Sequence, residues 1–144
     1  MAEGDTLVTN PTLTWLLSLM DLTSVTVKAA LLDDTYTPNI DAHEFFDDVS
    51  AYEVSGTGYT AGGVALSGKS VSQDDTDDEA VFDASDVSFG TLGVDVGNIG
   101  YAVVYVDTGT PSTSRILWLI EAGFPANGGP VSIQWNAEGA LNLG

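Results

Sequence analysis

The sequence predicts an all-β fold, a small β-sandwich or barrel-like domain with one short N-terminal helix. Three observations lead to this prediction. Short runs rich in valine, isoleucine and aromatic residues recur along the chain, turn-forming residues separate them, and one stretch alone has helical spacing. The 144 residues match the usual size of one domain. We therefore predict a single β-rich domain over residues 11–144, preceded by a flexible arm over residues 1–10.

The helix is predicted at about residues 11–21. Asn10 would cap its start, because a short polar side chain accepts a hydrogen bond from an unpaired backbone N–H. Pro11 would take the first helical position, where its missing N–H costs nothing. Apolar residues then recur with helical spacing at Leu13, Leu16, Leu17 and Met20.

The first strand is predicted over residues 25–32, which begin with β-branched residues and end with apolar ones. Turn-forming residues follow at 33–39. Residues 41–46 would form one helical turn capped by Asp41, and residues 51–55 would form a short strand.

Residues 56–63 (GTGYTAGG) contain too many glycines for a straight central strand. Glycines inside a strand favour bulges, bends or the close approach of another backbone. We expect these residues to bend the chain between the strand at 51–55 and a further strand over residues 64–71. A turn-rich surface connection is the alternative.

The later strands are separated by polar or glycine-rich links. Residues 99–107 are the most strand-like and are apolar on both faces, which predicts a central position in the sheet. Residues 115–121 would be the partner strand of this segment. Further short strands are predicted at residues 80–83, 86–89, 131–135 and 140–143.

The chain is strongly acidic. Three basic residues, Lys28, Lys69 and Arg115, stand against 21 acidic ones, for a net charge of −18. Nucleic acids and anionic membranes would repel this chain, so we predict neither as a partner. Apolar residues make up 44% of the sequence, which argues against a disordered acidic protein. A surface adapted to concentrated salt is the favoured interpretation, with an ordinary acidic protein as the alternative.

The absence of cysteine excludes disulfides, thiolate zinc sites and cysteine nucleophiles. We expect no signal peptide, because the first residues are acidic rather than basic. We also expect no membrane helix, because the apolar run at residues 15–20 is far shorter than the roughly 20 residues that a span needs.

The sequence contains no motif that points to catalysis. His43 is the single histidine, and we interpret it as a surface or capping residue, because acidic neighbours are expected by chance in this chain. Carboxylate pairs for glycoside hydrolysis are uninformative for the same reason, and most of the acids lie in polar runs. We therefore predict no enzyme, no catalytic residue and no cofactor.

Two loops match ligand-binding motifs in part. Residues 74–79 (DDTDDE) offer five carboxylates to calcium but lack the spacing of an EF-hand, so we interpret them as a solvated acidic loop. Gly68, Lys69 and Ser70 match the end of a phosphate-binding loop, but no helical pattern follows them. We predict neither a metal site nor a nucleotide site.

Large aromatic residues belong either to the core or to an interface. The candidates are Trp15, Trp118, Trp135, Tyr101 and Tyr105. Most such residues are core residues, and an exposed subset would mark a surface that contacts another molecule.

Several segments, in one consistent order, resemble a family of small structural proteins of tailed viruses. They are residues 25–32, 36–38 (YTP), 41–50 (DAHEFFDDVS), 53–63, 66–69 (LSGK), 101–110 and 133–136. The resemblance covers residues 13–143, and its most specific part is the glycine-rich segment. Residues 74–97 depart from the family's pattern. The strong acidity is also unusual for the family and resembles a virus of a salt-loving archaeal host.

The resemblance implies a virion structural protein with no catalytic residues. We expect a capsid decoration or turret subunit that binds and stabilises the head of a halophilic tailed virus after assembly in the host cytoplasm. Its partner would be the major capsid protein or another virion protein. A homo-oligomer is expected, because virion surfaces repeat by symmetry. The N-terminal arm and helix would make the docking contact. The alternatives are a tail or baseplate component, and a carbohydrate- or receptor-binding module.

The excess of carboxylates predicts that stability depends on salt. The melting temperature of the purified protein should rise steeply between low and molar KCl, because a Debye length of about 3 Å at 1 M screens the repulsion among carboxylates. Thermal unfolding followed by circular dichroism measures this rise. A melting temperature that stays flat over this range would contradict a halophilic surface.

Overall fold

The computed structural model describes Gly4 and residues 6–143. These residues form nine strands in three antiparallel sheets and one α-helix near the N-terminus. The sheets are open and consistent with a small β-sandwich, so the predicted all-β class with an N-terminal helix is confirmed. In this part of the chain no helix is long and apolar enough to cross a membrane.

The helix is α1 (Asn10–Ser18). The strands, in chain order, are β1 (Val27–Asp33), β2 (Val64–Ala65), β3 (Ser70–Asp74), β4 (Glu79–Asp83), β5 (Val87–Thr91), β6 (Asn98–Val106), β7 (Ile116–Pro125), β8 (Pro130–Ile133) and β9 (Leu141–Leu143). The predicted arm over residues 1–10 lies partly outside the described residues. Within it, residues 6–9 have no regular secondary structure.

The chain divides into two compact units, each made of segments that are separate in sequence. The sheet unit comprises Val25–Leu66 and Asp86–Gln134. The helical unit comprises Ser67–Ser85 together with the described residues of Met1–Ser24 and Trp135–Gly144. The single domain over residues 11–144 stays a prediction.

The sheet unit is built around β6. This strand lies inside a four-stranded sheet of order β2-β1-β6-β7, as its two apolar faces predict, and it pairs antiparallel with β1 and β7. Ile99, Val103 and Val104 are fully buried. On one face of the sheet, Phe46 stacks on Tyr105 with ring centroids 4.2 Å apart. The central pairing therefore organises the core of this unit.

Strand β7 is an edge of this sheet and pairs with β6 as predicted. Unpaired edges invite the addition of another strand. Two irregularities interrupt the pairing of β7 with β6, and Glu121 places a charge on the strand. The N–H of Ile116 also donates a hydrogen bond to the carbonyl of Glu44, which covers the start of the edge. Bulges and charges of this kind oppose edge-to-edge pairing.

Two strand predictions are wrong. Residues 51–55 do not form a strand, because Ser50–Tyr52 is a 3-10 helix in which the ring of Tyr52 packs edge-on against the ring of Tyr36 at 5.3 Å. Residues 64–71 form two strands instead of one. Gly68 separates them with a φ of +62°, which an extended strand does not contain.

The predicted helical turn at residues 41–46 is also displaced. Asn39 rather than Asp41 organises this turn, since its carbonyl accepts a hydrogen bond from the N–H of His43 and its side chain accepts one from the N–H of Asp41. The short 3-10 helix Phe46–Asp48 follows.

The helical unit packs α1 against β3 and β4, in a three-stranded sheet of order β3-β4-β9. Leu17, Leu22 and Phe82 are fully buried there. The prediction that Asn10 caps α1 is wrong. Thr9 occupies the cap position, without a side-chain hydrogen bond, and Asn10 is the first helical residue.

The glycine-rich segment approaches neighbouring backbone too closely for larger residues. Gly63 has a φ of +84°, and a Cβ atom there would overlap the carbonyl group of Ala29 in β1. Gly58 has a φ of +88°, and a Cβ atom there would overlap the carbonyl oxygen of Thr91. The close approach of backbone is present and explains why glycines occur beside valines and a tyrosine. The expected bend between two strands is not, because residues 51–55 form no strand; residues 56–63 contain turns and a bend, as in the alternative.

The Gly63→Ala substitution should lower the free energy of unfolding by about 3 kcal/mol or more, because it adds a steric overlap to an unfavourable φ. Urea denaturation in molar KCl measures the change. Gly109→Ala is the matched control, since Gly109 has a φ of +87° with no atom within 4 Å of the added Cβ. The control should cost only about 1–2 kcal/mol. Equal losses in the two variants would show that the close approach to β1 does not contribute.

Candidate functional site

The strongest candidate for a functional site is an exposed apolar face on and beside helix α1. Trp15 is 58% exposed and Leu19 is 61% exposed. Four further large apolar residues near them are exposed as well. We call the set the outer face: Leu7, Val8, Trp15, Leu16, Leu19 and Met20.

Helix geometry explains why the outer face is continuous along α1. Each residue turns the helix by about 100°, so side chains four positions apart lie on the same side. Trp15 and Leu16 lie in α1, Leu19 is its C-terminal cap residue, four positions after Trp15, and Met20 follows the helix. Leu17 lies on the opposite side and is fully buried. The helix is therefore apolar on both sides, a pattern that belongs to helices with neighbours all round.

The outer face lies in a segment without charge. Residues 6–20 contain no Asp, Glu, Lys, Arg or His, although the chain carries 24 charged residues in 144. The sequence predicted docking by the arm and helix and named Trp15 as one of five aromatic candidates, but it did not single out Trp15 or identify Leu19. The spacing of Leu13, Leu16, Leu17 and Met20 indicated a single apolar face. The uncharged run was the signal that could have revealed a second one.

Carboxylates flank the outer face at both ends of α1. At the N-terminal end, the side-chain amide of Asn10 donates hydrogen bonds of 3.1 Å to Asp75 and to Asp78. These bonds are why Asn10 does not cap the helix. At the other end, Asp21 follows Met20 with a φ of +52°. The apolar surface thus has an acidic rim.

The acidic loop forms the turn between β3 and β4. One carboxylate oxygen each of Asp74, Asp77 and Glu79 lie within 4.8 Å of one another, a spacing that a metal ion could bridge. Burial, and then the charges of Asp77, Asp74 and Glu138, raise the pKa of Glu79. Asp74 already accepts hydrogen bonds from the N–H groups of Thr76 and Asp77. The solvated loop stays our prediction, and these three residues are where a cation would bind.

A half-buried polar cluster lies beside the glycine-rich segment. The carboxylate of Glu53 accepts hydrogen bonds from the hydroxyl of Tyr59 at 2.6 Å and from the N–H of Gly62 at 2.8 Å. The hydroxyl of Tyr59 accepts one from the N–H of Leu31 in β1. The hydroxyl of Tyr105 donates to the carbonyl of Gly62 at 2.6 Å. The cluster ties the glycine-rich segment to the central strands.

Beside this cluster, a cavity of about 400 Å³ is lined by both polar and apolar groups. Lys28 and Asp107 form an ion pair of 2.7 Å at its wall. The Lys28 ammonium and the N–H of Gly109 hold the pKa of Asp107 below its ordinary range. All these polar groups have partners, so the arrangement is explained by structure alone.

His43 is half-buried and lies at a turn, and its interpretation as a surface or capping residue stays a prediction. Its Nδ1 atom lies 2.7 Å from the hydroxyl of Tyr36 and accepts a hydrogen bond from the N–H of Asn39 at 3.3 Å. Asp48, close in sequence, accepts hydrogen bonds from the N–H groups of Glu44 and Phe45 instead of orienting the ring. The hydrogen bonds described for His43 therefore organise a turn.

The remaining sequence candidates separate in space. Ser70 begins strand β3, whereas a phosphate-binding loop needs a helix at this position. Among the aromatic candidates, Tyr105 is buried and Trp118, Trp135 and Tyr101 are half-buried. Trp15 is thus the exposed member of the set.

Comparisons with protein-family models, curated proteins and solved structures find no match to this chain. The resemblance to structural proteins of tailed viruses therefore stays a prediction. The surface geometry of the chain itself, above all the outer face of α1, is the physical evidence on its function.

The buried tyrosines predict a loss of stability at alkaline pH. Burial, and then the hydrogen bond to Glu53, raise the pKa of Tyr59 above its ordinary value of 10.0. The folded state therefore keeps this proton more tightly than the unfolded chain does. The stabilisation of the fold by this raised pKa is fully present below pH 10 and is lost as the pH rises further. Urea midpoints between pH 8 and 11 should fall above about pH 10.

Tyr59→Phe should reduce the alkaline slope of the unfolding free energy by up to about 1.4 kcal/mol per pH unit, since one fewer phenol ionises on unfolding. It should also cost about 1–2 kcal/mol at neutral pH through the lost hydrogen bonds. Tyr52→Phe is the control, because Tyr52 is exposed. An alkaline slope unchanged by Tyr59→Phe would show that this proton is not held by the fold.

Proposed function

We propose that the protein is a non-enzymatic structural subunit of a virion, and that the outer face of α1 is a surface through which it assembles. The particular role is a capsid decoration or turret subunit on the head of a halophilic tailed virus. The major capsid protein, or another virion protein, would be its partner. The resemblance to structural proteins of tailed viruses supports the viral assignment.

The observation that carries the proposal is the exposure of the outer face. Six large apolar side chains are in contact with solvent within a stretch of 14 residues, from Leu7 to Met20. Clustered apolar surface of this kind marks contact with another molecule, whereas single exposed apolar residues need no explanation. The function supported by this geometry is therefore assembly.

The strong negative charge gives such a subunit a second property. Carboxylates keep their hydration in concentrated salt, and the net charge of −18 keeps copies apart wherever carboxylates face each other. Contacts are then confined to the surface without charge. A subunit of this kind adds contact area across the shell without random association.

Incorporation into particles tests the proposal. The chain would carry an epitope tag in cells that produce the virus, and purified particles would be labelled with gold-conjugated antibody. We expect label over the head. Leu16→Glu should reduce the number of copies per particle at least about tenfold, because it places a carboxylate in the apolar contact.

Ile40→Glu is the matched control, because Ile40 is 90% exposed and lies in the sheet unit, outside the outer face. Its incorporation should equal that of the wild type. Label confined to tail tips would contradict the decoration role and support the tail or baseplate alternative. Unlabelled particles would contradict the virion assignment itself.

A further inference from the structure

We propose that the outer face of α1 binds the same face of a second copy of this chain, so that the subunit exists as a two-fold symmetric dimer. The inference rests on the proposed function as an assembly subunit and names the molecule that covers the exposed face, so the dimer would contact the capsid through its other surfaces. It follows from the charge, the area and the geometry of the outer face.

Charge favours a second copy over a basic partner. A basic protein would be recognised through carboxylates inside the contact, and residues 6–20 contain none. Two copies of a chain with a net charge of −18 can meet at low electrostatic cost only where carboxylates are absent from both surfaces. The outer face meets that condition, with its nearest carboxylates on the rim at Asp21, Asp75 and Asp78.

The area is also suitable. Full burial removes on the order of 100 Å² per aliphatic side chain and 200 Å² per tryptophan from water. At the exposures observed, between 40% and 73%, the outer face offers on the order of 400 Å² of apolar surface per copy. A standard interface buries about 800 Å² per partner, roughly 56–65% of it apolar. The outer face thus supplies most of the apolar part of one such interface.

The arrangement of side chains is self-complementary. Trp15 and Leu19 form a ridge of four-residue spacing, and Leu16 lies three positions before Leu19 on the same side. Ridges of this spacing on two helices interdigitate at a crossing angle near −50°, the commonest class of helix packing. A two-fold axis through the outer face would set each ridge against the groove of the other copy. The crossing moves the N-terminal ends of the two helices apart, and with them Asp75 and Asp78 of the rim.

The other apolar edge of the molecule is less suited to this role. Strand β7 is interrupted twice in its pairing, carries Glu121, and is covered by Glu44 at its start. A second copy paired there would place two Glu121 side chains close together. The outer face of α1 has no such charge.

The oligomeric state of the full chain tests the inference. Sedimentation equilibrium at 1–100 µM in molar KCl should show a dimer. The dissociation constant should rise as KCl is lowered, since the carboxylates of the rim then repel each other. A wild-type chain that is monomeric at 100 µM in molar KCl would overturn the proposal.

Two variants locate the contact. Leu19→Glu should raise the dissociation constant at least about 100-fold, because each copy would bury an unpaired carboxylate. Ile40→Glu, at an apolar position that is 90% exposed and lies outside the outer face, should leave the dissociation constant unchanged. A dimer that Leu19→Glu does not weaken would overturn the proposal, and circular dichroism reports whether that variant is folded.

Cross-linking provides a readout that does not depend on the folding of Leu19→Glu. The chain has no cysteine, so Leu19→Cys introduces a unique thiol on the outer face and Ile40→Cys introduces one elsewhere. A short bis-maleimide should link Leu19→Cys into dimers in high yield and leave Ile40→Cys monomeric. The reverse pattern, or equal low yields, would overturn the proposal.

The results also separate this inference from the proposed function. A monomer in solution that nevertheless labels particles would refute the dimer and leave the virion role standing. A dimer that never joins particles would refute the virion role and leave the dimer standing.

Discussion

The structure depends on how a chain with 21 acidic and three basic residues satisfies its carboxylates while it builds a core. The ion pairs Lys28–Asp107 and Arg115–Glu44 use two of the three cations. Backbone N–H groups donate hydrogen bonds to other carboxylates. Asp48 accepts two such bonds, and Asp95 accepts one from Thr57 together with one from its hydroxyl. These bonds hold the pKa of Asp48 and Asp95 below its ordinary range. Loops can therefore carry the negative charge without cations.

The same constraint decides where apolar surface is buried. Strand β6 contains no charged residue and lies between β1 and β7 in the sheet. The glycine-rich segment packs on this sheet through its backbone and not through apolar side chains, because Gly63 lies against the carbonyl group of Ala29 in β1. A single carboxylate, that of Glu53, anchors it through the hydroxyl of Tyr59 and the N–H of Gly62. Glu53 is half-buried, and these two donors satisfy its carboxylate there.

Electrostatics also separates the surfaces that can touch a neighbour from those that cannot. Most of the surface of this acidic chain repels another copy, and the repulsion weakens only when salt screens it. The outer face of α1 is free of that repulsion and apolar, so the hydrophobic effect acts there unopposed. The edge strand β7 differs from the outer face, because it carries the charge of Glu121 and its pairing with β6 is interrupted twice. Both features oppose pairing with another strand. Both arrangements would serve the assembly in concentrated salt that we propose.

The sequence by itself determined the all-β class, the place of the single helix and the central position of β6. These follow from the spacing of apolar residues and from turn-forming residues, which act over a few neighbouring positions. Tertiary structure alone decided that Asn10 bonds to Asp75 and Asp78 instead of capping α1, and that Ser50–Tyr52 is a 3-10 helix rather than a strand. It also decided that Trp15 and Leu19 remain exposed. Each of these outcomes depends on partners distant in the chain, and local spacing carries no information about which distant residues will meet.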